Sequence, residues 1–114
     1  MAGAGAILST TEDLSKFALA QFDAANKELV LTNEHTFSVN KKMGVGLGWH
    51  ILKLKNKGEL IWHNGGTGGY TSSMTLDLEN QNGIIILSNI SGFNKRMGNM
   101  DKLGFGLMET LSEK

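Results

Sequence analysis

The sequence contains no cysteine and no proline, and neither sign of charge is in excess. Without cysteine there can be no disulfide, thiolate metal ligand or thiol nucleophile, so any nucleophile must be Ser, Thr or a bound water. Lys plus Arg number 11 and Asp plus Glu number 11. This balance lacks the basic footprint of proteins that bind nucleic acid or anionic membranes by bulk charge, so we expect no nucleic-acid partner.

Long apolar runs are also missing. The longest uninterrupted stretches, such as residues 84–87, have four residues, against the roughly 20 that span a bilayer. Residues 1–6 lack the basic and apolar pattern of a secretory signal. Within these 114 residues, a length that suits one compact domain, we predict neither a membrane segment nor an export signal.

Glycine, in contrast, is abundant: 15 of the 114 residues, about twice the usual frequency. The densest cluster is residues 63–70, where four glycines follow His63. Such a segment exposes backbone amides to which a substrate oxygen can come close, and a histidine can donate, accept or carry charge near neutral pH. The alternative on composition alone is a flexible turn with a hydrogen-bonded histidine.

Two helices are predicted near the ends of the chain. The first begins at Ser9, whose hydroxyl would form a capping box with Glu12, and its inward face would carry Leu14, Phe17, Ala18 and Phe22. Residues 23–42 form a connecting region with room for a short helix. The second helix covers residues 95–111, and the residues at helical spacing that would face a sheet are Met97, Met100, Leu103, Leu107 and Leu111.

Alternating apolar residues predict about four antiparallel strands between these helices. Residues 45–54 form one strand with a bulge near Ile51, and residues 55–58 turn the chain into a second strand at 59–63. Residues 70–78 form a third, and an Asn82-Gly83 turn leads to a fourth at 84–87 that is covered on both faces. The predicted fold class is therefore α+β, an antiparallel sheet flanked by an N-terminal and a C-terminal helix.

Two other patterns do not predict a site. The glycines at 44, 46 and 48 lack the Lys-Ser/Thr of a phosphate loop and lead into a strand. His35, His50 and His63 lie 15 and 13 residues apart, which matches no compact metal-ligand spacing. We predict no metal and no cofactor.

The glycine cluster is also the main part of a resemblance to a known family. Residues 62–70 (Trp-His-Asn-Gly-Gly-Thr-Gly-Gly-Tyr), a strand, an Asn-Gly turn and residues 84–89 resemble the C-terminal part of the serine β-lactamase and penicillin-binding-protein superfamily. The similarity is greatest to class C β-lactamase-related hydrolases. Residues 4–17 and 46–49 are similar to the helix and the strand that precede this motif, so four pieces occur in the family's order.

The family uses three motifs, and this chain contains one of them. His63-Asn64-Gly65 corresponds to the Lys-Thr-Gly or His-x-Gly motif, whereas no Tyr-x-Asn is present. Ser-x-x-Lys spacing occurs only at Ser38 and Lys41. We do not interpret Ser38 as the nucleophile, because the family's motif opens a buried helix far upstream and the surroundings of Ser38 are polar.

The resemblance implies roles for six residues. His63 would take part in proton relay and in binding a substrate carboxylate, and the amide of Gly66 would be an oxyanion-hole donor. The residues that would contact or admit substrate are Asn64, Gly65, Thr67 and Tyr70. Histidine at the first motif position is shared by esterase-like and peptidase-like members, so β-lactams are one of several substrate classes.

The missing motifs lead to expectations about the whole chain. Residues 1–114 are expected to be a C-terminal fragment of a β-lactamase-like domain, inactive alone, whose partner is the missing N-terminal part of the parent. The strand at 84–87 would then have an open apolar edge that favours self-association. The resemblance implies an extracytoplasmic location. The alternative is a non-catalytic binding or structural module with the same fold.

Overall fold

A computed structural model describes residues 5–55 and 58–112 as three helices and a six-stranded antiparallel sheet. The helices are α1 (Thr11–Gln21), α2 (Lys27–Asn33) and α3 (Asn99–Ser112). The strands are β1 (Phe37–Ser38), β2 (Met43–Val45), β3 (His50–Lys53), β4 (Glu59–Gly66), β5 (Thr71–Asp77) and β6 (Asn82–Ser88). Each strand pairs with the next in sequence, so the sheet is a simple meander. The α+β prediction is confirmed, with six strands where about four were expected.

The core lies between α1 and one face of the sheet. Successive side chains of a strand point to opposite faces, so Ile61, Met74 and Leu76 face α1 while their neighbours face α3. The buried members of this cluster are Ala18, Trp49, Ile51, Ile61, Met74 and Leu76. In the described part of the chain, no helix is long and apolar enough to cross a membrane.

The first helix begins one residue later than predicted from a Ser9 cap. Thr10 is the N-cap, and its side chain accepts a hydrogen bond of 3.1 Å from the amide of Asp13. Of the predicted inward face, Ala18 is buried and Leu14 and Phe22 pack against the core at half-burial. Phe17 lies at the margin, where it is exposed and stacks on Trp49.

The single strand predicted at residues 45–54 is wrong. The chain reverses between β2 and β3, and the amide of Gly46 donates to the carbonyl of Trp49 at 2.8 Å to close the turn. The apparent phase shift at Ile51 is therefore a reversal and not a bulge. Glycine is needed at position 46 for a steric reason: a Cβ there would lie 2.7 Å from the carbonyl oxygen of Glu34 and 2.8 Å from that of Thr32. This turn packs under the end of α2, the short helix that residues 23–42 had room for.

The two predicted hairpins exist, with one turn displaced. Leu54 donates to Gly58 at 2.9 Å, and Gly58 has a φ of +81° that suits glycine; the turn's central residues 56 and 57 lie outside the described residues. The second turn was predicted at Asn82-Gly83, but it comes before Asn82, with Gln81 in the left-handed region. Asn82 already pairs with Asp77 in the β5–β6 ladder.

Both faces of β6 are covered, as predicted for residues 84–87, but the burial is only partial. Both α1 and α3 pack on this strand. Ile84, Ile85 and Ile86 are half-buried, and Leu87 is 42% exposed.

The C-terminal helix, α3, uses a different face from the predicted one and begins at Asn99. Met108 is 2% exposed and Gly104 is buried against the sheet, whereas Leu103, Leu107 and Leu111 of the predicted stripe are exposed. A Cβ on Gly104 would lie 3.1 Å from the hydroxyl of Thr75, so glycine here allows the helix to approach β5 closely.

Candidate functional site

The predicted site lies where β4 extends beyond β3. The β3–β4 ladder ends at the pair His50 and Trp62, whereas β4 continues beside β5 as far as Gly66. Among the described residues, no strand pairs with the other side of residues 63–66. His63, Asn64, Gly65 and Gly66 therefore belong to a strand with one open edge, not to a flexible turn.

The phase of the ladder determines which amides face that open edge. Thr67 donates to Tyr70 at 2.8 Å, and Leu54 donates to Gly58 at 2.9 Å at the other hairpin. Hydrogen-bonded and non-hydrogen-bonded pairs alternate along an antiparallel ladder. The backbone groups of Asn64 and Gly66 consequently point away from β5, towards the open edge. The N–H of Gly66 is thus a donor to which a ligand can come close.

His63 is exposed at the side of this edge. Its Nδ1 lies 2.7 Å from the carbonyl oxygen of Asn64. A carbonyl only accepts, so Nδ1 carries the proton in this contact and the neutral ring keeps a lone pair on Nε2. One face of the ring stacks on His50, with centroids 5.2 Å apart.

The side chain of Asn64 points to the opposite face of the sheet, towards α3. Its Nδ2 donates to Oδ2 of Asp101 at 2.6 Å. The hydroxyl of Ser73, the residue directly opposite Asn64 on β5, donates to Oδ1 of Asp101 at 2.8 Å. The predicted substrate contact through Asn64 therefore has to involve its backbone at the open edge, because its amide group is engaged behind the strand.

Glycine at positions 65 and 66 leaves room for close neighbours. A Cβ on Gly65 would lie 3.0 Å from the hydroxyl oxygen of Ser72, and one on Gly66 would lie 3.0 Å from the Cα of Gly92. The loop after β6 packs flat against this strand, and Gly92 donates its amide to the carbonyl of Thr67 at 2.7 Å. The loop thereby supports Gly66 from the α3 side and leaves its N–H edge open.

Thr67 and Tyr70 flank the β4–β5 turn. Tyr70 is 68% exposed, and the hydroxyl of Thr67 makes only a long contact of 3.5 Å with the carbonyl of Tyr70. Gly68 and Gly69 between them have open space around them. Both side chains are therefore free to contact a ligand at this end of the sheet.

A cavity of about 490 Å³ adjoins His63 on the α1 side of the sheet. Its lining is mostly apolar, with polar groups at the β4–β5 end. The lining residues are Leu14, Phe17, Leu29, Thr32, Gly48, Trp49, His63, Asn64, Ser72, Ser73 and Met74. Of the predicted site residues, His63 and Asn64 line it, and the glycine edge and the turn residues do not.

Ser38 lies far from this site. It belongs to β1, which β2 and β3 separate from β4. Its hydroxyl is exposed and lies 3.0 Å from Nε2 of His35. Within the described residues, no group of three or more His, Cys, Asp or Glu side chains is arranged to hold a metal ion.

Sequence reasoning missed three residues that shape the site: Ser73, Gly92 and Asp101. Ser73 is buried in a strand, and Gly92 lies between the predicted strand at 84–87 and the predicted helix at 95–111, where no structure was predicted. The sequence shows Asp101 as a charged residue three positions before Gly104. This signal was missed because the apolar stripe predicted that the neighbouring leucines face the sheet.

Comparisons with known proteins agree with the motif. The sequence model of a family described as Beta-lactamase matches residues 1–106. Penicillin-binding protein 4* of Bacillus subtilis (strain 168) is 32% identical in an alignment of 94 positions, and the alignment covers 76% of this chain and 20% of that protein. The chain thus spans about a fifth of the length of this curated relative.

Proposed function

Because the chain belongs to the beta-lactamase family of serine hydrolases, we propose that residues 63–70 form one wall of an acyl-transfer site. The substrate is a β-lactam, a peptide or an ester, each of which has a carbonyl that a serine oxygen attacks. The observation that carries the proposal is the open edge of β4, where Gly66 presents an N–H with no partner strand beside it among the described residues.

The N–H of Gly66 is suited to stabilise developing negative charge. As a nucleophile adds to a carbonyl, the π electrons move to the oxygen, and a fixed backbone donor stabilises that oxyanion. Removing one such donor costs about 10²–10³ in rate in a well-studied hydrolase. Gly92 supports the strand from behind, so the donor is held in place before substrate arrives.

His63 and the turn residues complete this wall. With Nδ1 donating to the Asn64 carbonyl, the lone pair on Nε2 of His63 is available to take up a proton, and the protonated Nε2 can then donate to a substrate carboxylate. Thr67 and Tyr70 would contact substrate beyond the glycines, at the exposed end of the hairpin. Gly65, which has no side chain, would let the backbone of β4 come close to the substrate.

The nucleophile has to come from another part of the parent protein. The sequence has Ser-x-x-Lys spacing only at Ser38, and Ser38 is three strands away from β4. The partner of this chain in catalysis is therefore the N-terminal part of a longer hydrolase, which supplies the Ser-x-x-Lys and Tyr-x-Asn motifs. We expect the 114-residue chain to be inactive alone.

Assays of the isolated chain test directly whether the nucleophile comes from another part of the parent protein. Incubation with nitrocefin and with a p-nitrophenyl ester should give no turnover above buffer. Ser38→Ala should change nothing, and Ser15→Ala, at an exposed serine of α1, is the matched control. Turnover that Ser38→Ala abolishes and Ser15→Ala preserves would contradict the proposal.

The parent reading frame gives the second test. If it encodes the two missing motifs, the whole protein should transfer acyl groups, and His63→Ala should slow acylation by about 10²–10⁴-fold. The second candidate function is a non-catalytic binding module, which the remoteness of Ser38 from β4 also favours. A parent without the two motifs would support that module.

A further inference from the structure

Asp101 bridges α3 and both strands of the candidate site. Each oxygen of its carboxylate accepts one hydrogen bond, at 2.6 Å from Nδ2 of Asn64 and at 2.8 Å from Oγ of Ser73. Asn64 and Ser73 lie directly opposite each other on β4 and β5. One side chain thus joins a cross-strand pair whose own backbone groups do not bond to each other.

The bridge continues through Asn64 to the imidazole. The side-chain amide of Asn64 is bonded to Asp101 on the α3 face, and its backbone carbonyl accepts the 2.7 Å bond from Nδ1 of His63 at the open edge. Because the Asn64 side chain is fixed, rotation of the peptide group that contains the Asn64 carbonyl is limited. The acceptor that determines the tautomer of His63 is therefore held by a residue 37 positions away in sequence.

Close packing of α3 explains why the bridge uses aspartate. A Cβ on Gly104 would lie 3.1 Å from the hydroxyl of Thr75 and 3.7 Å from that of Ser73. The helix is therefore near enough for the short side chain of Asp101 to reach both strands. Ser73 is 3% exposed and Asn64 and Asp101 are half-buried, so water competes weakly for these bonds.

We propose that Asp101 is a positioning residue, which fixes Asn64 so that His63 keeps its proton on Nδ1 and presents Nε2 to substrate. The final step, use of Nε2 on a substrate, rests on the proposed function. The positioning itself does not, and it can be measured in the chain without any substrate.

Imidazole ¹⁵N spectra and amide exchange of the 114-residue chain test the proposal. His63 in the unaltered chain should show the Nδ1–H tautomer. Asp101→Ala should shift it towards a mixture and speed exchange at the amides of Gly65 and Ser72 by at least about tenfold. The control is Lys102→Ala, which removes an exposed side chain next to Asp101 on the same helix and should leave the tautomer unchanged.

Exchanging the carboxylate and the amide between positions 101 and 64 distinguishes a positioning role from a general loss of stability. Asn64→Asp alone brings two carboxylates together and should disturb the tautomer of His63 as Asp101→Ala does. Adding Asp101→Asn restores a carboxylate–amide bond with the two groups exchanged, and the Nδ1–H tautomer should return.

An unchanged tautomer in Asp101→Ala, or failure of the double variant to restore it, would overturn the proposal. If instead these measurements succeed and the parent protein transfers no acyl group, the proposed function fails while the role of Asp101 stands.

Discussion

At the scale of single residues, the site depends on glycines whose missing side chains let backbones touch. Gly66 and Gly92 are in direct contact: a Cβ on Gly92 would lie 2.8 Å from the Cα of Gly66. Backbone atoms cannot move aside as a flexible side chain can. The sequence located the cluster at 63–70, but nothing in it indicated that Gly92 is its partner, because the two glycines are distant in sequence.

Gly92→Ala should therefore separate the loop from β4. The expected cost is about 1–3 kcal/mol of unfolding free energy, the usual range for overpacking a close contact. Gly98→Ala is the matched control, since it lies in the same loop and a Cβ there would meet open space. Urea denaturation of both variants measures the difference, and equal stabilities would contradict the close contact.

At the scale of secondary-structure elements, α3 shows how an apolar pattern can favour the wrong face. Leu103, Leu107 and Leu111 recur at helical spacing, but the helix turns Asp101, Gly104 and Met108 towards the sheet. The face of β5 that the helix meets carries Ser73 and Thr75. A small residue and a hydrogen-bonding residue fit against this face, and leucines do not. Periodicity predicted the helix, and the polar surface of β5 determined its rotation.

Truncating side chains on the two faces of α3 tests this rotation. Met108→Ala should lower the unfolding free energy by about 2–5 kcal/mol, because a buried side chain leaves a cavity. Leu103→Ala, at a position 51% exposed, should cost less than about 1 kcal/mol. Thermal or urea unfolding measures both, and a larger cost for Leu103→Ala would mean that the helix packs by its leucine stripe.

At the scale of the whole molecule, the sheet ends in an open edge at β6. Among the described residues, nothing pairs with the outer side of this strand, and residues 82–88 contain no charge or proline to block pairing. Uncharged apolar edges are prone to pair with other chains. We therefore expect the isolated chain to self-associate through β6, and the N-terminal part of the parent to compete for this edge.

Leu87→Lys should suppress that association, since an edge lysine opposes strand addition. Leu107→Lys is a matched control on α3, because the two leucines are 42% and 41% exposed. Sedimentation velocity should show association for the unaltered chain and for Leu107→Lys, and a monomer for Leu87→Lys. A monomeric unaltered chain at high concentration would contradict the expectation, and suppression by Leu107→Lys alone would assign the contact to α3.

The sequence by itself determined the local features of this protein. Alternation identified most residues of β4, β5 and β6, and turn chemistry identified the hairpins on either side of the β4–β5 pair. The His63-Asn64-Gly65 motif identified the family that the match over residues 1–106 confirms. These features depend on neighbours within a few positions, which a sequence pattern records directly. Even here a local pattern failed at residues 45–54, because the reversal at Gly46 depends on carbonyls at the end of α2.

Only the tertiary structure decided what makes residues 63–66 a candidate site. The open edge exists because β3 ends opposite Trp62, and the bridge from Asp101 exists because α3 approaches β5 at Gly104. Strand register and helix rotation are each determined by packing between segments far apart in the chain. The sequence thus supplied the groups, and packing decided which of them face a substrate and which hold the others in place.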